Sequence, residues 1–176
     1  MPSEPPHAEP HRRTGLAMLV VAWALVFAGI FWFFDGWYRA QYNPNPHPEG
    51  ASAQVVLERN RAGHYVAGGT INGERVTFLL DTGATDVALP KGLADRLKLR
   101  AGSAVSVVTA NGTVVGYATR LDSVRLGALE LRNVAAVVSP GLDEHTVLLG
   151  MSFLKKVEFT QRGEQLILRP LGAGPN

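Results

Sequence analysis

The residues best suited to chemistry lie in one short run, Phe78-Leu79-Leu80-Asp81-Thr82-Gly83-Ala84-Thr85. An apolar stretch ends abruptly in a carboxylate, a hydroxyl and a glycine. A carboxylate placed just beyond a buried strand can sit at the mouth of a core, partly desolvated. Gly83 lets the backbone turn sharply and aim N–H groups at that carboxylate, and Thr82 can brace the loop through its hydroxyl. Asp, Thr and Gly are all turn formers, so an ordinary strand-ending turn is the competing reading. At average usage, an Asp-Thr/Ser-Gly tripeptide arises by chance in roughly a tenth of chains this long. What lifts this one above chance is its frame. An apolar strand precedes it, a small residue follows it, and a short apolar strand, Val87 to Leu89, lies just beyond.

A second run, Val147-Leu148-Leu149-Gly150, leads into Met151-Ser152-Phe153-Leu154 and takes an apolar strand into a glycine and a helical turn. By itself it is core packing. Other chemistries find little support. His7, His11, His47, His64 and His145 are scattered, with no His-Glu-x-x-His spacing. No Gly-x-Ser-x-Gly elbow is present. Ala67-Gly68-Gly69-Thr70 lacks the Lys-Ser/Thr of a phosphate loop and suits a strand with glycines. Asn111-Gly112-Thr113 fits a glycosylation sequon but is more simply a hairpin turn. The chain has no cysteine, which excludes disulfides, thiol catalysis and Cys-based zinc sites. No metal and no cofactor are expected.

The elements that must position Asp81 are mostly short strands. Val55 to Arg59 and His64 to Ile71 alternate or run apolar, and Asn72-Gly73 supplies the positive φ angles of a tight hairpin turn before Arg75 to Leu80. Pro90 opens a helix over Lys91 to Leu97, with Leu93, Ala94 and Leu97 on one face. Ala104 to Ala110, Asn111-Gly112 and Thr113 to Leu121 form a second hairpin signal. Further strands are expected at Ser123 to Leu126, Leu129 to Val138, Thr146 to Leu149, Val157 to Thr160 and Glu164 to Arg169, with a short helix over Met151 to Lys155. Many short strands with Gly turns suggest a mainly β fold, small and closed.

Taken together, at a separation of roughly seventy residues, the Asp81 and Gly150 runs resemble the framework of the retropepsin-like aspartic peptidases. The strings Asp-Thr-Gly-Ala-Thr-Asp-Val-Ala-Leu-Pro and Leu-Leu-Gly-Met-Ser-Phe-Leu look like a bacterial membrane-anchored subgroup of that clan. The resemblance covers about Val66 to Leu168. It implies a small closed acid-protease β-barrel in which the Asp81-Thr82-Gly83 loop packs beside the Gly150 strand and a short helix. It implies a β-hairpin flap at Thr109 to Thr113. Catalysis is assigned to Asp81, Thr82 and Gly83, and substrate contacts to Ala84, Thr85 and Asp86 and to Ala110, Asn111 and Gly112. One residue departs from the viral pattern at Thr85, where an acid is usual, and one at Met151, where an arginine is usual. Both partners of that ion pair are missing together. The mechanism implied needs two carboxylates facing each other across one water, and like charges that close hold one proton between them. This chain offers one such loop, so a homodimer acting on a polypeptide substrate is expected. The alternative is a catalytically silent relative that binds peptides or dimerises through the same cleft, and a third reading is a structural envelope domain.

Residues 1–14 are rich in Pro, His and Glu and suit a disordered tail. Gly15 to Phe34 follows, twenty residues without a charge, enough to cross a ~30 Å hydrocarbon core. Phe31, Trp32, Phe33, Phe34, Trp37 and Tyr38 form an aromatic belt, which extends the anchor to residue 38. This run is longer than the ~7–15 residue apolar region of a cleaved signal peptide. Arg12 and Arg13 precede the span, and Asp35 and Arg39 follow it. The positive-inside bias then places one pass in a bacterial inner membrane with the domain in the periplasm. Residues 39–54, with Pro44, Pro46, Pro48 and Gly50, suit a semi-stiff linker. The domain is expected at 55–170, with a tail at 171–176. The net charge of +2, with no basic block carrying interleaved aromatics, argues against nucleic acid as a partner.

Overall fold

The computed structural model describes residues 10–48, 54–109 and 112–172. The chain divides into an N-terminal unit, residues 1–40, and a β unit, residues 41–176. Helix α1, Pro10–Tyr42, runs through the first unit and into the start of the second. Its side chains from residue 15 to 34 are all exposed. Gly15–Tyr42 is long and apolar enough to cross a membrane.

Ten strands and two short helices follow. They are β1 Val55–Glu58, β2 Val66–Ile71, β3 Glu74–Leu80, β4 Val87–Leu89, α2 Lys91–Arg96 and β5 Ala104–Thr109. Then come β6 Gly112–Leu126, β7 Leu129–Val138, β8 Val147–Leu149, α3 Met151–Leu154, β9 Val157–Arg162 and β10 Gln165–Pro170. Six of the strands, in the order β2-β3-β8-β4-β7-β6, close on themselves through Thr70↔Arg125 and Ile71↔Val124. The fold is therefore mainly β, a small closed barrel. Closure removes the open edges that a curved sheet would otherwise leave. Phe78, Leu89, Leu121, Leu149 and Phe153 are fully buried inside it. Each such side chain contributes ~1.5–3 kcal/mol of burial free energy.

The turn at Asn72-Gly73 has φ of 50° and 87°, the positive pair a two-residue hairpin needs. Asn72 does more than turn, because its side chain accepts a hydrogen bond from the Ser123 N–H at 3.0 Å and so ties the β2–β3 hairpin to β6. The two strands expected at Thr113 to Leu121 and Ser123 to Leu126 are one continuous strand, β6. Asp122, which separates them in the sequence, is exposed and leaves the ladder to β7 running on both sides. A second sheet, β1-β10-β9, is antiparallel and three-stranded.

Part of the Pro-rich stretch is strapped to the barrel. Asn45 is buried, its backbone carbonyl accepts from the Gly68 N–H at 2.8 Å, and its side chain donates to the carbonyls of Glu58 and Val66. The Glu58 N–H donates to Asn45 Oδ1 at 2.8 Å. Gly68 is required beneath this strap, since a Cβ there would run into the Pro46 carbonyl oxygen.

Candidate active site

Strand β3 delivers Asp81. Its last residue, Leu80, lies beside Leu149 of the parallel strand β8. The chain then leaves the sheet, with the Asp81 N–H still donating to the Leu149 carbonyl at 3.2 Å. The loop folds back at once. The Gly83 N–H donates to Asp81 Oδ1 at 2.8 Å, and the Ala84 N–H donates to the Asp81 carbonyl at 3.3 Å. Asp81 is half-buried and its carboxylate is oriented by a backbone donor, as the sequence led one to expect of Gly83. Thr82 behaves differently. It is exposed, and its hydroxyl makes no hydrogen bond among the described residues.

The Gly150 run holds this loop from behind. The Met151 N–H donates to the Ala84 carbonyl at 2.8 Å and the Ser152 N–H to the Thr85 carbonyl at 2.9 Å. Gly150 is needed for that approach, because a Cβ would lie 2.7 Å from the Ala84 carbonyl oxygen and collide with that of Asp86. Ser152, buried at 4% exposure, completes the brace. Its hydroxyl donates to the Ala135 carbonyl of β7 at 2.7 Å and accepts from the Val87 N–H of β4 at 3.0 Å. Backbone hydrogen bonds thus secure the loop at Thr85 and Met151, where the acid–arginine pair is missing, and the Met151 side chain packs on the core.

A cleft of about 640 Å³ opens in front of the loop. Asp81, Gly83, Ala84, Thr85 and Asp86 all line it. Its floor was not among the expectations from the sequence. Ala118 of β6, Val137 of β7, Ala88 of β4 and Leu148 of β8 are successive cross-strand partners, forming one row. Val87, Leu89, Val147 and Leu149 point into the core, so Ala88 and Leu148 face the other way, into the cleft. The signal was available: β4 and β8 are apolar at every position, which implies two covered faces. Residues of the β5–β6 hairpin, among them Val105, Val107 and Thr109, form the opposite wall. Gly116 permits that hairpin to pack, as a Cβ there would meet Val107 and Val137 at 2.8 Å. Ala110 and Asn111, expected at the flap tip, lie outside the described residues. Gly112 is exposed with φ of +115° and is not part of the cleft lining.

A smaller cavity, about 320 Å³, lies on the other side of the loop and shares Asp81 with the cleft. Thr82, Tyr65, Phe159 and Gln161 help to line it. No group of three or more His, Cys, Asp or Glu suited to a metal occurs among the described residues.

Residues 67–156, half of the chain, match the model of the family described as "gag-polyprotein putative aspartyl protease". The chain belongs to the retropepsin-like aspartic peptidases. The crystal structure of a retropepsin-like aspartic protease from Rickettsia conorii is similar, with 34% identity and a TM-score of 0.55 over 65% of this chain and 89% of that one. An uncharacterised protein in the cobV 5′ region of a Sinorhizobium species is 34% identical over 120 residues, 66% of this chain and 52% of its own length. An uncharacterised protein of Rickettsia prowazekii (strain Madrid E) is 28% identical over 164 residues, 87% of this chain and 69% of its own. The chain thus matches about half the length of the Sinorhizobium relative. The retropepsin-like fold accounts for the barrel, the Asp81 loop and the Gly150 brace together.

Proposed function

We propose that this chain is a membrane-anchored aspartic endopeptidase that hydrolyses peptide bonds with a water activated by Asp81 and the Asp81 of a second copy. The observation that carries the reading is the placement of Asp81. It is a half-buried carboxylate held by the Gly83 N–H at the head of an apolar-floored cleft and beneath a β-hairpin. An extended peptide fits such a cleft, apolar side chains over the Ala88–Leu148 floor and the scissile carbonyl near Asp81.

The ionised carboxylate takes a proton from the water, whose oxygen attacks the carbonyl carbon. The protonated partner carboxyl gives its proton to the carbonyl oxygen. The tetrahedral diol then collapses, the C–N bond breaks, and the amine leaves with a proton returned by the dyad. Thr82 and Gly83 shape the loop, and Ala84, Thr85, Asp86 and the hairpin residues Ala110, Asn111 and Gly112 contact substrate. A polypeptide is the substrate, with neither metal nor cofactor in the reaction. The exposed apolar helix crosses a bacterial inner membrane once, residues 1–14 remaining cytoplasmic and the domain facing the periplasm. Protease digestion of the domain only after the inner membrane is breached would contradict that orientation. A peptide library presented to the full chain in detergent, alongside Asp81→Asn, tests the activity. Cleavage by the wild type and none by the variant is expected. No cleavage by either favours a silent peptide-binding module.

A further inference from the structure

We propose that a cavity on the outside of the barrel, between the strap at residues 43–48 and strands β2, β3 and β6, binds a phosphate group through Arg75, Arg125 and Thr70. The phosphate site does not depend on the peptidase reading. Only the lipid source argued below rests on the membrane anchor.

The cavity has a volume of about 430 Å³ and shares no lining residue with the Asp81 cleft. Three cross-strand partners form one row along it: Arg75 of β3, Thr70 of β2 and Arg125 of β6. Neighbouring strands lie ~4.8 Å apart, so the two arginines leave the sheet ~10 Å apart with the threonine between them. Thr77, two places beyond Arg75 on the same face of β3, adds a second hydroxyl to the lining. No Asp or Glu lines the cavity. Arg75 makes no hydrogen bond or ion pair among the described residues. Arg125 pairs with Glu130, but Glu130 also pairs with Arg132, so that trio keeps one positive charge and Arg75 adds another.

The opposite wall is built in place. The Asn45 side chain and carbonyl pin the middle of the strap to β1 and β2. On either side of His47, the strap lies against a glycine. Gly68 makes room for the Pro46 carbonyl, and at Gly127 a Cβ would lie 2.5 Å from the Pro48 carbonyl oxygen. His47 is thereby held at the cavity, and a wall already ordered costs a ligand little further entropy.

This donor set selects the ligand class. Guanidinium forks match the oxygens of phosphate and carboxylate, and the threonine hydroxyls supply further donors. A carboxylate, with two oxygens, is used up by one fork. A phosphate has enough oxygens for both arginines and a hydroxyl. The volume exceeds that of the bare anion and leaves room for the group esterified to it. Position favours one source. Asn43 lines the cavity, and it is five residues from Tyr38 of the aromatic belt, a reach of at most ~18 Å. The headgroup of an anionic glycerophospholipid lies within that reach.

Native mass spectrometry of the full chain in a neutral detergent with added phosphatidylglycerol reads the fraction of chains carrying a lipid. The wild type should retain phosphatidylglycerol and should not retain diacylglycerol with the same tails. Arg75→Gln and Arg125→Gln should each lower the bound-to-free ratio about tenfold, the loss of one charged hydrogen-bonding group. Arg100→Gln, which removes an exposed arginine outside the cavity, should leave the ratio unchanged. Arg75 has no partner to lose, so its variant keeps the fold, which a thermal melt checks. In a second arm, calorimetry with glycerol 3-phosphate tests a soluble source. Binding that both substitutions weaken about tenfold, without retention of phosphatidylglycerol, keeps the phosphate site and assigns it to a soluble ester. Equal retention of diacylglycerol, a phosphate affinity that neither substitution lowers, or no binding in either arm overturns the proposal. None of these readouts uses cleavage, so the phosphate site and the peptidase reading fail separately.

Discussion

Ser152→Ala tests how the Asp81 loop is held in place. The hydroxyl is one atom joining three segments: α3 carries it, β7 accepts its proton at the Ala135 carbonyl, and β4 donates to it from the Val87 N–H. Alanine fills nearly the same volume, so packing is almost unchanged, but two backbone groups lose their partner, the Val87 N–H in a buried site and the Ala135 carbonyl in a half-buried one. Leaving a buried donor or acceptor unsatisfied costs ~1–3 kcal/mol, so the pair comes to ~2–5 kcal/mol. Against a domain stability of ~5–15 kcal/mol this is a large fraction. At roughly 3–5 °C per kcal/mol for a domain of this size, the melting midpoint should fall by roughly 10 °C or more. The assay is a thermal melt of the full chain in detergent. Ser123→Ala serves as control, because that side chain makes no hydrogen bond among the described residues and its truncation should cost within about 0.5 kcal/mol. A Ser152→Ala midpoint within a degree of the control would refute the strut.

Three further outcomes are expected. Asp86→Asn should keep peptide turnover within about tenfold of wild type, since Asp86 lines the cleft without joining the dyad; abolished turnover would make Asp86 the second carboxylate and remove the need for a partner. Asn45→Ala breaks three side-chain hydrogen bonds at the strap, so roughly 3 kcal/mol is lost and limited proteolysis should cut at residues 43–48 well before the barrel. Gly112→Val forces a β-branched residue into φ of +115°, a strain of ~1–3 kcal/mol at the hairpin, and turnover should fall more than the melting midpoint does; unchanged turnover would make the hairpin peripheral.

What was legible in the sequence was local. Asp81-Thr82-Gly83 after an apolar strand and Asn72-Gly73 between two strands are set by the chemistry of a few adjacent residues, and both appear as expected. Helix α2 ends one residue early, with Leu97 as its cap. What escaped depends on distant partners. Closure of the barrel at Thr70↔Arg125 joins residues far apart in sequence, and nothing near either one announces it. Asn45 sits among prolines that suit a spacer, and its partners Glu58, Val66 and Gly68 emerge only once β1 and β2 lie side by side. Ser152 reads as a tolerated small residue in an apolar run until the fold surrounds it with the buried Val87 N–H and the half-buried Ala135 C=O. Thr82 is the converse case: its place beside the carboxylate suggested a hydroxyl bracing the loop, whereas among the described residues its side chain is exposed, lines the small cavity beside Asp81 and makes no hydrogen bond.

The central claim is that one active site needs Asp81 from two chains, and subunit mixing tests it most directly. Wild type and Asp81→Asn full chains are co-reconstituted at fixed total protein, and peptide cleavage is followed as the wild-type fraction falls. If both carboxylates are required and chains pair at random, activity follows the square of that fraction, so an equal mixture retains about a quarter of it. Activity that falls in simple proportion, with about half left in the equal mixture, would show each chain to be complete alone and would contradict the shared dyad.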